Sequence, residues 1–144
     1  MALAARDYEE AVARFEEVVD RAPRSDNFYA LGLGHLGLGI ASYELGATKR
    51  AHHEFEAARD VYERIGERQQ FAHALQGLGV VAAREGRFET GAGLLGRARR
   101  LLDEFGADED FFWHRLDDAR ASARDALGDD GFEAAYAAGR DEER

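Results

Sequence analysis

Three kinds of residue grouping in this sequence have a spacing that chemistry uses. Gly32-Leu33-Gly34-His35-Leu36-Gly37 carries the glycine spacing that lets a backbone approach a dinucleotide pyrophosphate, provided a strand precedes it and a helix N-terminus follows. No strand signal stands ahead of it, and the same spacing recurs at Gly91-Ala92-Gly93-Leu94-Leu95-Gly96 in an alanine-rich stretch. Two copies in such a setting read as small residues where helices cross closely. His52 and Glu56 stand four apart, as two metal ligands on one helix face would, with His53 alongside. No third ligand is fixed by the sequence, so the pair reads as a weak surface interaction. His35 falls on a core-facing position and reads as a packed histidine.

Nucleophilic and acid–base chemistry find little support. Ser25, Ser42 and Ser122 are the only serines, and none sits in a Gly-x-Ser-x-Gly elbow. Asp117-Asp118 and Asp129-Asp130 are paired carboxylates, but among 29 acidic residues they read as a solvated face. Phe111-Phe112-Trp113 reads as an aromatic anchor that packs the last helix onto what precedes it. No catalytic residue, cofactor or metal is expected, and the chain is not read as an enzyme.

The elements that must carry these residues are helices. Pro23 is the only proline, and alanine, leucine, glutamate and arginine dominate over β-branched residues, so long helices are permitted and strand is not expected. At 144 residues the chain fits one domain, and 45% hydrophobic with 33% charged residues is a globular balance. It has no cysteine, so disulfides and thiolate chemistry are excluded. No segment approaches the roughly 18 apolar residues of a membrane helix, and the start shows no secretory pattern. The expected location is therefore cytoplasmic. A formal charge of −10 repels phosphate backbones and anionic lipids, and the one basic cluster, Arg97, Arg99 and Arg100, is followed closely by Asp103 and Glu104. Neither nucleic acid nor membrane is an expected partner. Lys49 is the only lysine, which reflects coding or host bias rather than function.

Sliding the chain by about 40 residues brings like residues together, the mark of a repeat. Gly37 falls on Gly77, Leu38-Gly39 on Leu78-Gly79, Gly46 on Gly86, Phe55 on Leu95, Ala58 on Ala98 and Gly66 on Gly106. Apolar residues between these landmarks recur at helical spacing. Gly46, Gly66, Gly86 and Gly106 read as helix stops, since glycine takes the left-handed conformation without a side-chain clash. Asp26 or Asn27 is expected to cap the first full unit, and Thr48 its second helix.

Both units resemble the tetratricopeptide repeat. The first reads Leu38, Gly39, Gly46, Ala51, Phe55, Ala58; the second reads Leu78, Gly79, Gly86, Gly91, Leu95, Ala98. Tyr8, Ala11, Phe15, Val18 and Pro23 resemble the second-helix half of the motif without its partner. His35 and Leu75 replace the usual early aromatic and Ser42 and Ala82 the later tyrosine, which with the longer period points to the long-repeat branch. The resemblance implies an all-α fold of stacked antiparallel helical hairpins, a tetratricopeptide-like α-solenoid, with C-terminal capping helices. The expected organisation is a single domain, 1–144, with a half repeat at 1–24, repeats at 26–66 and 68–106, and C-terminal helices at 108–140. From Leu94 to Arg140 the sequence also resembles the closing repeats of large bacterial LuxR-type or ATPase-linked transcriptional regulators, where such repeats form a sensor or interaction arm. This chain shows no phosphate-binding loop and no DNA-reading helix, so only the interaction role carries over.

In such arrays the first helix of each pair lines a concave face where a partner lies. Leu33, Leu36, Ile40, Tyr43 and Glu44, then His73, Gln76, Val80, Ala83 and Arg84, occupy those positions here. They lack the lysine and asparagine set with which some relatives clamp a C-terminal carboxylate, and suit an amphipathic helix or an apolar peptide. The expected function is a protein-interaction or regulatory scaffold module. The alternative is a small-molecule binder or enzyme whose groove pocket uses Tyr43, His73 and Arg84. The half repeat leaves an apolar face covered from one side only, to be buried by a second copy in a homodimer through it or by the rest of a longer protein, the homodimer being favoured.

Overall fold

The computed structural model describes residues 5–107 and 113–142 of the chain, and every regular element among them is helical. Helix α1 (Ala5–Arg21) leads through a 3-10 turn (Ala22–Ser25) into α2 (Phe28–Glu44), followed by α3 (Thr48–Ile65), α4 (Arg68–Arg84), α5 (Phe88–Asp103) and α6 (Arg115–Arg140). The chain forms two compact units, residues 1–77 and 78–144, and the boundary falls within α4. In the first unit α1 packs on α2 and α2 on α3; in the second α5 packs on α6. Among the described residues no helix is long and apolar enough to cross a membrane.

The four spaced glycines end helices, as their spacing predicts. Gly46, Gly66, Gly86 and Gly106 take φ of 83, 74, 82 and 64°. Each closes the same pair of bonds. Gly46 N donates to Tyr43 O at 2.9 Å and Ala47 N to Ser42 O at 2.8 Å, and the pattern recurs at Gly86 and Arg87 with 3.1 and 2.8 Å. Carbonyls that a helix end leaves open are thereby satisfied. The turn also sets the next helix going, because Ala47 O accepts from Ala51 N at 2.9 Å. That corrects the expected cap at Thr48. Ala47 is the N-cap, without a side-chain bond, and Thr48 is already helical. The turn takes up only Leu45, Gly46 and Ala47, so the cap position arrives one residue before the threonine. At α2 the cap is Asn27, whose Oδ1 accepts from Ala30 N at 3.1 Å, while Asp26 bends the chain with φ 55°.

Packing depends on missing side chains. In the first unit, a β-carbon on Gly39 would lie 2.6 Å from Phe55 Cε1, and one on Gly77 2.5 Å from the same ring atom. Gly32 faces Tyr62 in the same way, Gly37 faces Phe15, and Gly34 faces Val18 and Val19. Helix α2 therefore receives α1 at Gly34 and Gly37 and α3 at Gly32 and Gly39. Leu38, Ala51, Phe55 and Ala58 are all buried around this seam. The second unit repeats the device forty residues on, where a β-carbon on Gly79 would meet Leu95 Cγ at 2.9 Å and one on Gly91 would meet Gly79 O at 3.0 Å. Leu78, Leu95 and Ala98 are buried there. Where α5 meets α6 the approach is backbone to backbone: Gly96 lies against Tyr136, and Gly139 against Gly93.

The C-terminal region differs in detail from the helices expected over 108–140. Residues 108–112, with Phe111 and Phe112, lie outside the described residues; Trp113 is buried just ahead of α6. Helix α6 is broken at Gly128, whose φ of 75° and ψ of 164° only glycine adopts readily. Arg124 ties the two sides together. It bonds Asp129 Oδ1 at 3.3 Å and Glu133 Oε1 at 2.8 Å, and its guanidinium lies 4.4 Å from the centre of the Phe132 ring. Phe132 is buried with Ala92 and Ala123.

The two kinds of glycine site should respond differently. Gly79→Leu is expected to overpack its crossing and cost about 1–3 kcal/mol in urea denaturation, with the helical signal retained. At Gly93 an added methyl would meet only Ala135 O, at 3.6 Å. Gly93→Ala should therefore be neutral, or stabilise by up to about 1 kcal/mol through helix propensity. Equal losses at both positions would refute the socket reading.

Candidate functional site

The residues whose spacing suggested chemistry are held in structural roles. Gly32, Gly34 and Gly37 lie inside α2 and are filled by Tyr62, Val19 and Phe15, while Gly91 and Gly96 lie inside α5 against α4 and α6. None stands in a loop that could present amides to a phosphate. His52 Nε2 lies 3.3 Å from Glu56 Oε2 on the surface of α3, and among the described residues no three metal-type side chains converge. Asp117 and Asp118 pair with Arg120 and Arg115 at 2.7 and 3.4 Å. Ser25 Oγ bonds Arg21 O, Ser42 is buried and Ser122 is exposed. The basic cluster is occupied. Arg100 Nη1 donates to the carbonyls of Arg140 and Glu142 at 3.0 and 2.9 Å, closing the end of α6, and Arg99 pairs with Asp103 at 3.0 Å.

The set expected to line a concave face divides sharply. Leu36, Tyr43, His73, Gln76 and Val80 are buried, Ile40 and Glu44 are half-buried, and Arg84 and Leu33 are exposed. As the chain stands, the buried members present no surface to a partner. Helix α2 explains part of this, since Phe28–Glu44 is apolar nearly all round, with Glu44 and His35 its only ionisable groups besides the tyrosines. Such a helix is enclosed by its neighbours. His73 Nδ1 lies 2.8 Å from Gln76 Oε1; burial pushes the imidazole down, against the upward pull of that bond, so the neutral form is favoured.

A polar chain ties the first three helices. His35 Nδ1 of α2 lies 2.7 Å from Glu54 Oε1 of α3, and both side chains are mostly covered. Arg50 Nε lies 3.5 Å from Glu54 Oε2, and its Nη2 bonds Glu16 Oε2 of α1 at 2.8 Å. Burial pushes the Glu54 carboxyl up, but the bond and charge of His35 and the charge of Arg50 outweigh it and hold the group below its ordinary value. His35 is thus a helix-joining residue.

One exposed patch is apolar. At the start of α2 and the end of α3, Phe28, Leu31, Val61 and Ile65 line a cleft of about 260 Å3 with Arg64 at its edge. Phe28 and Ile65 are 42 and 43% exposed, and Tyr29 beside them is as open. Bonds between α2, α3 and α4 lie beside the cleft. Tyr62 Oη donates to Tyr29 O at 2.9 Å, the two rings meet edge to face at 5.7 Å, and Gln70 Nε2 donates to Tyr29 Oη at 3.1 Å. Burial raises the Tyr62 phenol above its ordinary range, so it remains a donor. A second, wider cleft of about 510 Å3 lies between α5 and α6, floored by Gly93 and Gly139 and edged by Glu89 and Glu142. It carries no aromatic side chain.

The first cleft does not stand out in the sequence, because Leu31, Val61 and Ile65 fit the helical apolar pattern. A signal was nevertheless present. Forty residues on, the positions of Phe28 and Tyr29 are held by Arg68 and Gln69, and that of Arg64 by Glu104. Polar residues stand at these places where Leu102 replaces Tyr62, the ring on which Tyr29 packs. Comparison of the chain with protein-family models, with curated proteins and with solved structures found no match.

The Glu54 contact carries a pH dependence whose sign is fixed. A carboxyl held low in the folded state stabilises above its ordinary value, here 4.5, and that contribution is lost as pH falls through the lowered one. Denaturant midpoints measured from neutral pH down through that range should fall less steeply for Glu54→Gln than for the unaltered chain. Identical acid limbs would remove Glu54 from the account.

Proposed function

We propose that the chain is a non-catalytic interaction module of the helical-repeat type, and that it works by holding a segment of another protein. The observation that carries this reading is the exposed apolar cleft at Phe28, Leu31, Val61 and Ile65. Exposed aromatic and aliphatic side chains around a preformed cleft are what anchors in protein recognition use. Size supports a side chain rather than a cofactor. About 260 Å3 falls below the roughly 300–1,000 Å3 of sites that enclose small molecules. The tetratricopeptide-like arrangement is part of the proposal. Its support is the helix register, α2 and α3 beginning at Phe28 and Thr48 and α4 and α5 at Arg68 and Phe88, together with the paired sockets Gly39–Phe55 and Gly79–Leu95.

The rival reading, a groove pocket for a small molecule, relies on Tyr43, His73 and Arg84, and the first two are buried side chains. The proposed role as an arm of a larger regulator rests on the resemblance of the C-terminal stretch alone.

The reading is tested by removing the apolar edge. Phe28→Ser and Ile65→Ser should each cost about 1 kcal/mol of stability, since both side chains are a little more than half covered, should leave the helical signal intact, and together should abolish capture of whatever protein the unaltered chain retains from its native lysate. Capture retained by the double variant would place the binding face elsewhere. A chain that retains no protein, but whose melting temperature rises with a small molecule, would reverse the reading in favour of the rival.

A further inference from the structure

We propose that the cleft at the start of α2 and the end of α3 takes a short amphipathic segment of a partner protein, with one bulky apolar side chain seated between Phe28 and Ile65 and a carboxylate set against Arg64. This rests on reading the chain as an interaction module and adds the chemistry of its partner.

Charge is the first argument. Arg64 is exposed at the edge of the cleft and makes no ion pair or hydrogen bond among the described residues. Several arginines are engaged with carboxylates, Arg50, Arg59, Arg87, Arg99, Arg120 and Arg124 among them, while Arg14 and Arg21 of α1 are as free as Arg64 among the described residues but do not line the cleft. Of the neighbouring acids, Glu67 accepts from Gln70 N at 3.4 Å and Glu63 also has a contact of its own. An uncommitted guanidinium beside an apolar cleft favours a partner that supplies the missing carboxylate. A second copy of this chain is a poor occupant, because each copy carries a formal charge of −10.

The second argument is the internal repeat. The aromatic pair and the cation occur together in the first unit, and all three are absent together forty residues on, where Arg68, Gln69 and Glu104 stand. Packing on Tyr62, which is Leu102 forty residues on, accounts for Tyr29, while Phe28 and Arg64 share the lining of one cleft. The Tyr62–Tyr29 and Tyr29–Gln70 bonds hold the cleft open in advance, so little ordering opposes binding.

Two fluorescently labelled helical peptides test the assignment. Each carries a leucine anchor, with either glutamate or lysine one helical turn away, and anisotropy is followed on the full chain. The unaltered chain should prefer the glutamate peptide by about fivefold, Arg64→Glu should invert the preference, and Ile65→Ser should weaken both. Equal affinity for the two peptides, or a preference that Arg64→Glu leaves unchanged, would overturn the charge assignment and leave the interaction-module reading standing. Binding of neither peptide would overturn the cleft as a docking site, and the lysate capture would then decide the module reading separately. A dimer in sedimentation equilibrium that Ile65→Ser dissociates would give the cleft to a second copy, which also overturns the proposal.

Discussion

A large side chain can bridge helices only where their backbones leave room for it, and Phe55 finds that room twice, over Gly39 of α2 and over Gly77 of α4. Everything else in the first unit follows from such sites. Tyr62 and Phe15 use Gly32 and Gly37 in the same way, so α2 is gripped from two sides along its length. Close approach brings dense contact and excludes water, and each interface consequently tolerates little change in volume. Gly79 and Leu95 repeat the device in the second unit. The glycine spacing that resembles a nucleotide fingerprint is the imprint of this packing.

Polar side chains complement the seam without competing with it. His35, Glu54, Arg50 and Glu16 form a chain across α1, α2 and α3, mostly covered between His35 and Glu54 and exposed where Arg50 meets Glu16. At the other end of the chain Arg100 closes the carbonyls at the end of α6, and Arg124 bridges the break at Gly128. Basic residues that could have formed a patch for nucleic acid are thereby drawn into helix ends and kinks.

The same local chemistry that ends the helices also creates the open surface. Gly66 turns the chain directly after Ile65, and Asn27 starts α2 directly before Phe28, so both apolar residues lie at helix ends that no following turn covers. Tyr62, one turn back from Gly66, reaches across to Tyr29 O and fixes the distance between these ends. A rigid scaffold carrying an exposed apolar cleft is suited to recognition, because the cost of ordering is met when the chain folds rather than when it binds.

The sequence by itself determined the helices, their ends and their repeat. Glycine in the left-handed region and an asparagine cap are local effects, so Gly46, Gly66, Gly86, Gly106 and Asn27 act as read, and Leu38, Phe55, Ala58, Leu95 and Ala98 are buried as their register implies. Periodicity tells which residues share a helix face but not how much of that face its neighbours cover. Only the tertiary structure decided that Tyr43, His73 and Gln76 are enclosed while Phe28, Tyr29 and Ile65 stay open, and that His35 joins Glu54 nineteen residues away. Those outcomes depend on how closely helices approach, and that distance is set by pairs such as Gly39 with Phe55, whose partners lie on different helices and meet only when the chain has folded.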